Sequence, residues 1–241
     1  MAACATIEEV GSTGVGALTI TFLILGVSAA VFAYKGHNSH EQKRFYVCAI
    51  FFCFWSAMAD FAMLSGQGWT VTDGCRQFFY ARYIDWIVTA PVIAIWLGLV
   101  AGADFTDMAY AVAGQVVWVA ATYMGSISVA QEVKWVWFLI SLFGLAAAIF
   151  NFARTYDNAS KSKSEELAKL YSKMAWTTIG VFACYPLVWL FSEGFGNFSV
   201  SFEVTMYCIL DVIGKAVVGF MLLGAHDLLG DASPVSQREF V

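Results

Sequence analysis

The sequence predicts an all-α fold, a bundle of seven membrane-spanning helices. Three observations carry that expectation. First, the chain of 241 residues is 60% hydrophobic and only 13% charged, whereas a soluble domain carries about 25% charged residues. Second, seven apolar segments follow one another, each near the ~20 residues that a helix needs to cross a bilayer. Third, lysine and arginine are segregated onto alternate connections. A soluble chain of this length could build a full core without being so apolar, so little mass is expected outside the membrane. Residues 1–241 read as one domain, with no internal repeat and no separate soluble part. The net charge of −5 carries little information because the charges are segregated. No basic face suits a nucleic acid.

The elements follow in order. Segment one, 14–34, is preceded by Glu8 and Glu9 rather than by a basic region, so a cleaved signal peptide is not expected. Segment two, 45–65, carries Asp60 near its outer half. That carboxylate reads either as a satisfied polar contact to a neighbouring helix or as part of a proton network or ion path. Segment three, 77–100, is the richest in polar residues at fixed spacing. Segments four and five, 105–126 and 133–153, are plain apolar runs. The longest connection is the charged stretch from Asn158 to Lys169, expected as a loop plus a helix extension. Segments six and seven cover 171–192 and 199–225.

Lys35, Lys43, Arg44, Arg154, Lys161, Lys163, Lys169, Lys173 and Arg238 fall on one side, and only Arg76 and Lys134 on the other. The basic side is cytoplasmic by the positive-inside rule. The N-terminus is therefore expected outside and the C-terminus inside. Of the six cysteines, Cys48, Cys53, Cys184 and Cys208 lie in apolar segments and read as small hydrophobes. Cys4 and Cys75 could pair outside the membrane, though their spacing does not require it. No CxxC occurs, and no metal site is expected.

Lys215 lies near the middle of segment seven, four residues after Asp211. That spacing places both on one face of a helix. A charge at this depth costs roughly 2.5–3.5 kcal/mol on insertion scales, so a function is the default reading. A desolvated lysine amine suits condensation with an aldehyde to give a Schiff base. Asp211 would be a counterion to the protonated product. In segment three, Arg82, Asp85, Trp86 and Thr89 recur three to four residues apart and share a face. An arginine and an aspartate inside a membrane should face the bundle interior and pair. A structural ion pair locking two helices would explain these two alone. With Lys215 and Asp211 added, chemistry is the better explanation.

The chain resembles the microbial (type 1) rhodopsins, bacteriorhodopsin-like proteins with seven helices and a retinal. Arg-Tyr-x-Asp-Trp-x-x-Thr-x-Pro fits at Arg82, Tyr83, Asp85, Trp86, Thr89 and Pro91. Tyr-Pro-x-x-Trp fits at Tyr185, Pro186 and Trp189, and Asp-x-x-x-Lys at Asp211 and Lys215. The resemblance spans nearly the whole chain and implies all-trans retinal bound covalently by Lys215. It implies Asp85 as primary counterion and proton acceptor, Asp211 as second counterion, and Arg82 coupled to Glu193 and Glu203, which match a proton-release pair. Tyr83, Trp86, Thr89, Trp118, Thr122, Ser141, Phe182, Tyr185 and Trp189 would line the chromophore pocket. The partners so implied are retinal, membrane lipid and protons. A homo-oligomer stays open. The location implied is an integral, multi-pass position in the plasma membrane, and no enzymatic activity is expected.

The sequence departs from the family's pattern at three places. The cytoplasmic proton donor, a carboxylate eleven residues after the acceptor, is replaced by Trp96, about 16 Å along the same helix. Tryptophan cannot donate a proton at accessible pH. Two pocket positions usually held by tryptophan are Phe182 and Phe138, and Asp60 is an additional carboxylate. The expected function is a light-driven outward proton transporter with slow recovery. A photosensory rhodopsin, a light-gated channel and an inward proton pump follow in that order.

Overall fold

The computed structural model describes residues 4–37, 42–72 and 74–225. Arg238, counted above on the basic side, lies outside them. Seven long helices form a bundle: α1 (Ser12–His37), α2 (Lys43–Leu64), α3 (Tyr80–Ala101), α4 (Phe105–Ser126), α5 (Gln131–Lys161), α6 (Glu165–Gly194) and α7 (Val200–Leu223). All except α4 are long and apolar enough to cross a membrane by length and composition alone. α4 carries Asp107, Gln115, Thr122 and Ser126 among its 22 residues.

Consecutive helices pack side by side from α1 to α5. α6 lies against α3, α5 and α7, and α7 closes the bundle on α1. The outward faces carry exposed side chains such as Val27, Phe61, Leu139 and Phe143. That suits helices in lipid, where hydrocarbon solvates apolar side chains and only backbone groups must be satisfied internally. Large aromatics, including Trp96, Tyr171, Tyr207 and Trp189, fill the interior.

Several helix ends differ from those the sequence suggests. α3 begins at Tyr80 rather than 77, because Gln77–Phe78 (β2) pairs antiparallel with Thr70–Val71 (β1). This hairpin also bonds the N-terminal segment, with Glu8 N donating to Cys75 O (2.9 Å) and Gln77 N to Glu8 O (2.9 Å). Cys4 and Cys75 do pair, which covalently ties that segment to the hairpin. The charged stretch before α6 is a loop with helix extensions, as expected, the loop being 162–164. Ser164 caps α6 by accepting from Leu167 N (3.1 Å), and Lys161–Asp157 and Lys169–Glu165 pair one turn apart along the helices that flank it. Capping and i,i+4 pairs stabilise helix ends that composition alone would leave as loop. α3 stops at Gly102, whose φ of 68° suits the left-handed residue that follows a helix.

α4 and α5 approach closely at two glycines. A Cβ on Gly144 would lie 2.6 Å from Trp118 N and 2.9 Å from Gly114 O. Small residues permit such contact between membrane helices. Gly144→Val is expected to push α5 off α4 at a cost of about 1–3 kcal/mol. The midpoint of thermal loss of helical circular dichroism should fall, and an unchanged midpoint would show that the two helices yield freely.

Candidate functional site

The site is built on α7, where the α-helical turn loosens into a π-helical stretch over Val212–Val217. Such irregular turns are frequent at functional sites. Lys215 lies within it, 3% exposed, with Asp85 3% and Asp211 6% exposed. Its ammonium Nζ donates to Asp85 Oδ2 at 2.7 Å and lies 3.0 Å from Asp211 Oδ1. Both carboxylates have further support. Ser56 Oγ on α2 donates to Asp85 Oδ1 (2.7 Å), and Tyr185 OH on α6 donates to Asp211 Oδ1 (2.5 Å). A buried charge is tolerated when it is paired and hydrogen-bonded, and this cluster meets that condition. Thr89, expected beside Asp85, donates instead to the Asp85 backbone carbonyl (2.9 Å). Ser56 is thus a member of the site that no motif reveals.

Towards the end of the bundle where α3 begins, Arg82 Nη1 pairs with Glu203 Oε1 at 2.8 Å. Its guanidinium lies 4.6 Å from the centre of the Tyr207 ring, a cation–π arrangement. Glu193 is held by other groups. It accepts from Tyr83 OH (3.0 Å) and from Ser192 Oγ, and its backbone carbonyl accepts from Lys134 Nζ (2.8 Å). Of the two glutamates expected to couple to Arg82, Glu203 is the one in direct contact with it. Among the described residues Arg82 makes its ion pair with Glu203, while Glu193 is bound to α3 through Tyr83. A second arginine, Arg76, also reaches Glu203, with Nη2 2.7 Å from Oε2. The sequence showed Arg76 only as a loop cation.

Beside the charged cluster runs a narrow aromatic slot. It is lined by Trp86, Trp118, Val119, Thr122, Phe138, Ser141, Tyr185, Pro186, Trp189 and Tyr207. Six of the nine predicted pocket residues line it. Phe182 packs against one wall through Trp118 (ring centres 5.1 Å). Tyr83 lies behind Trp86 (5.2 Å) and bonds Ser126 and Glu193 rather than facing the slot. Thr89 is not in the lining either, since its hydroxyl is spent on its own helix. Tyr207 is an addition, one turn before Asp211 and so on the same face.

The slot fits a flat, conjugated, apolar molecule such as retinal. Trp189 stacks on Phe138 at 4.7 Å with their planes 9° apart, while Trp86 stands edge-on to Tyr185 and Tyr207, both at 4.9 Å. Gly125 leaves room beside Trp189, where a Cβ would lie 3.2 Å from the indole. Trp86 Nε1 is buried without a hydrogen-bond partner, so one polar atom remains for a ligand or a water. Tyr185 joins the slot to the charges, because it forms one wall and also bonds Asp211.

At the opposite end Trp96 is fully buried. Its Nε1 donates to Phe45 O (3.1 Å), and its ring stands edge-on to Phe52 (5.3 Å). No aspartate or glutamate follows Asp85 within α3. Among the described residues, both amide atoms of the buried Gln115 on α4 lack a partner. Asp60 on α2 is 3% exposed, and among the same residues its Oδ2 has no hydrogen-bond partner. That is not the fully satisfied helix–helix contact that one reading of Asp60 anticipated.

Comparison with known proteins agrees with this arrangement. The family model described as bacteriorhodopsin-like protein matches residues 13–229. Opsin-1 of Neurospora crassa is 27% identical over 91% of this chain and 78% of its own length. The fold superimposes on the crystal structure of a light-driven proton pump from Leptosphaeria maculans with a TM-score of 0.90. That match covers 95% of this chain and 100% of the other, and at 24% identity it bears on the fold alone. The proton-pumping rhodopsin AR2 of Acetabularia acetabulum is 28% identical, with a TM-score of 0.84 and coverage of 94% and 99%. The chain is an integral, multi-pass membrane protein, and it belongs to the bacteriorhodopsin-like family of microbial rhodopsins, whose chromophore is retinal.

Proposed function

We propose that the protein is a light-driven outward proton pump in which Lys215 holds all-trans retinal as a Schiff base. The observation that carries this reading is the buried triad of Lys215, Asp85 and Asp211, which abuts an aromatic slot on one side and the Arg82–Glu203 pair on the other. A relative at 28% identity named as a proton-pumping rhodopsin supports proton pumping. Retinal, when bound, supplies light absorption and a change of field at Lys215 Nζ.

The chain's own groups do the rest. Asp85 is the acceptor, because Ser56 occupies its Oδ1 and leaves Oδ2 facing Nζ at 2.7 Å. Tyr185 keeps Asp211 in place as the lasting counterion. Once Asp85 carries a proton, one anion near Arg82 is neutral, and the guanidinium is drawn further towards Glu203. The aromatic walls exclude water from Nζ. With the lysine and arginine bias read as cytoplasmic, the N-terminus lies outside, the Glu203 end is extracellular, and the plasma membrane is the location proposed.

The Trp96 end closes the inward path with apolar bulk. Return of a proton to the site is then expected to draw on bulk protons and to be slow. Recovery of dark absorption after a flash should slow about tenfold for each unit rise in pH if one bulk proton is limiting. Trp96→Asp should speed recovery and flatten that dependence, because a buried carboxylic acid can supply the proton locally. Fast, pH-independent recovery in the unmodified protein would reveal another internal donor.

The same closed end favours a photosensory role as the second reading, since a long-lived state suits signalling. Photocurrent in a voltage-clamped cell separates the readings. A pump gives outward current that keeps its sign across the voltage range. A channel reverses, and a sensor gives none.

A further inference from the structure

We infer that Arg76 is a positioning residue for proton exit: it grips Glu203 from outside as Arg82 does from within, so that release to the outer surface comes late, after uptake. The inference rests on the proposed proton transport. Each oxygen of Glu203 is taken by a different guanidinium, Oε1 by Arg82 at 2.8 Å and Oε2 by Arg76 at 2.7 Å. Both partners are well buried, with side chains 13% exposed for Arg76 and 5% for Glu203. Charge-assisted bonds of this kind are about twice as strong as neutral ones. Two guanidiniums facing one carboxylate oppose, by their charge, a proton placed between it and Glu193.

Arg76 is itself over-determined in position. Nη1 also donates to Phe198 O (2.7 Å) and to Glu8 Oε2 (3.1 Å). Glu8 in turn accepts from Val200 N (3.1 Å) at the start of α7. The neighbouring Cys75 is tied to Cys4. This assembly forms one wall of a polar cavity of about 440 Å³ whose lining includes Glu193, Glu203, Lys134 and Gln77. A proton leaving along this path crosses the cavity that Arg76 helps to line. Two guanidiniums facing Glu203 make its pairing with Glu193 a poor store for a proton. The proton that appears outside is therefore the one Asp85 received, released when Asp85 returns to its charged state.

The test follows flash-induced pH changes with a water-soluble indicator dye on detergent-solubilised pigment, in the unmodified protein, Arg76→Gln and Arg76→Lys. Uptake should precede release in the unmodified protein. Arg76→Gln should reverse the order, because one of the two cations that oppose a proton between Glu203 and Glu193 is then gone. Arg76→Lys should give a release time between the two, since an ammonium supplies the charge without the fork that bonds three acceptors. If Arg76→Gln forms no pigment, Arg76→Lys decides alone, through earlier release than in the unmodified protein. A purely structural role for Arg76 would change pigment yield and leave the order alone. Release before uptake in the unmodified protein, or an order and timing indifferent to both substitutions, overturns the inference. Absence of photocurrent would sink the pump reading separately, because the dye reads release and uptake even without net transport.

Discussion

Lys215→Ala protein supplied with all-trans retinal is expected to stay colourless, with complete loss of the visible band. The primary amine at the junction of the aromatic slot and the carboxylates is the group that condenses with an aldehyde, and alanine removes it. The substitution also strips the cation from two carboxylates lying 2.7 and 3.0 Å from it. Breaking a buried ion pair by removing one partner costs about 3–5 kcal/mol, so failure to fold could mimic failure to bind. Lys215→Arg separates the two causes. A guanidinium keeps the charge and stays protonated, so it cannot condense with an aldehyde. The expected result is a folded, colourless protein, read by circular dichroism beside visible absorption. A visible band in either variant that survives denaturation and borohydride would move the attachment elsewhere.

The second large effect is expected from Asp85→Asn. Asparagine matches aspartate in shape and can keep the Ser56 bond at one oxygen. What it removes is the anion 2.7 Å from Nζ, while Asp211 stays at 3.0 Å. A nearby anion stabilises the ground state, in which positive charge is localised at the nitrogen, more than the excited state. Its removal narrows the gap and shifts absorption to the red. Proton transfer loses its acceptor, and positioned acid–base groups contribute roughly 10²–10⁴-fold, so flash photolysis should show a fall of that order. Unchanged absorption with normal transfer would assign the acceptor role to Asp211 or Asp60.

How far these residues could be read without a structure depended on whether their relations lay within one helix. Lys215 and Asp211 meet because four residues make about one turn, and the spacing in α7 states as much. Arg82, Asp85 and Trp86 share an interior face for the same reason. The helices themselves follow from apolar runs of membrane-crossing length, and the resemblance named the slot residues that lie at motif positions. Trp96 could be recognised as a missing donor because its distance from Asp85 is fixed along one helix.

Contacts between helices were another matter. Ser56 bonds Asp85 from a helix 29 residues away, and nothing in the periodicity of α2 fixes its rotation about its own axis. Thr89, with the right spacing, turned its hydroxyl to its own backbone, a choice open to any threonine in a helix. Arg82 bonds Glu203 directly, while Tyr83 and Ser192 donate to Glu193. Arg76 reaches a residue 127 positions away only because the hairpin, the Cys4–Cys75 bond and Glu8 bring its arm over the start of α7. The sequence by itself determined the seven helices, the buried lysine and its neighbour on α7, since these rest on hydrophobicity and local helical geometry. Only the tertiary structure decided which oxygen each donor takes, because side chains distant in sequence meet only once helix rotation and connection geometry are set by packing of the whole bundle.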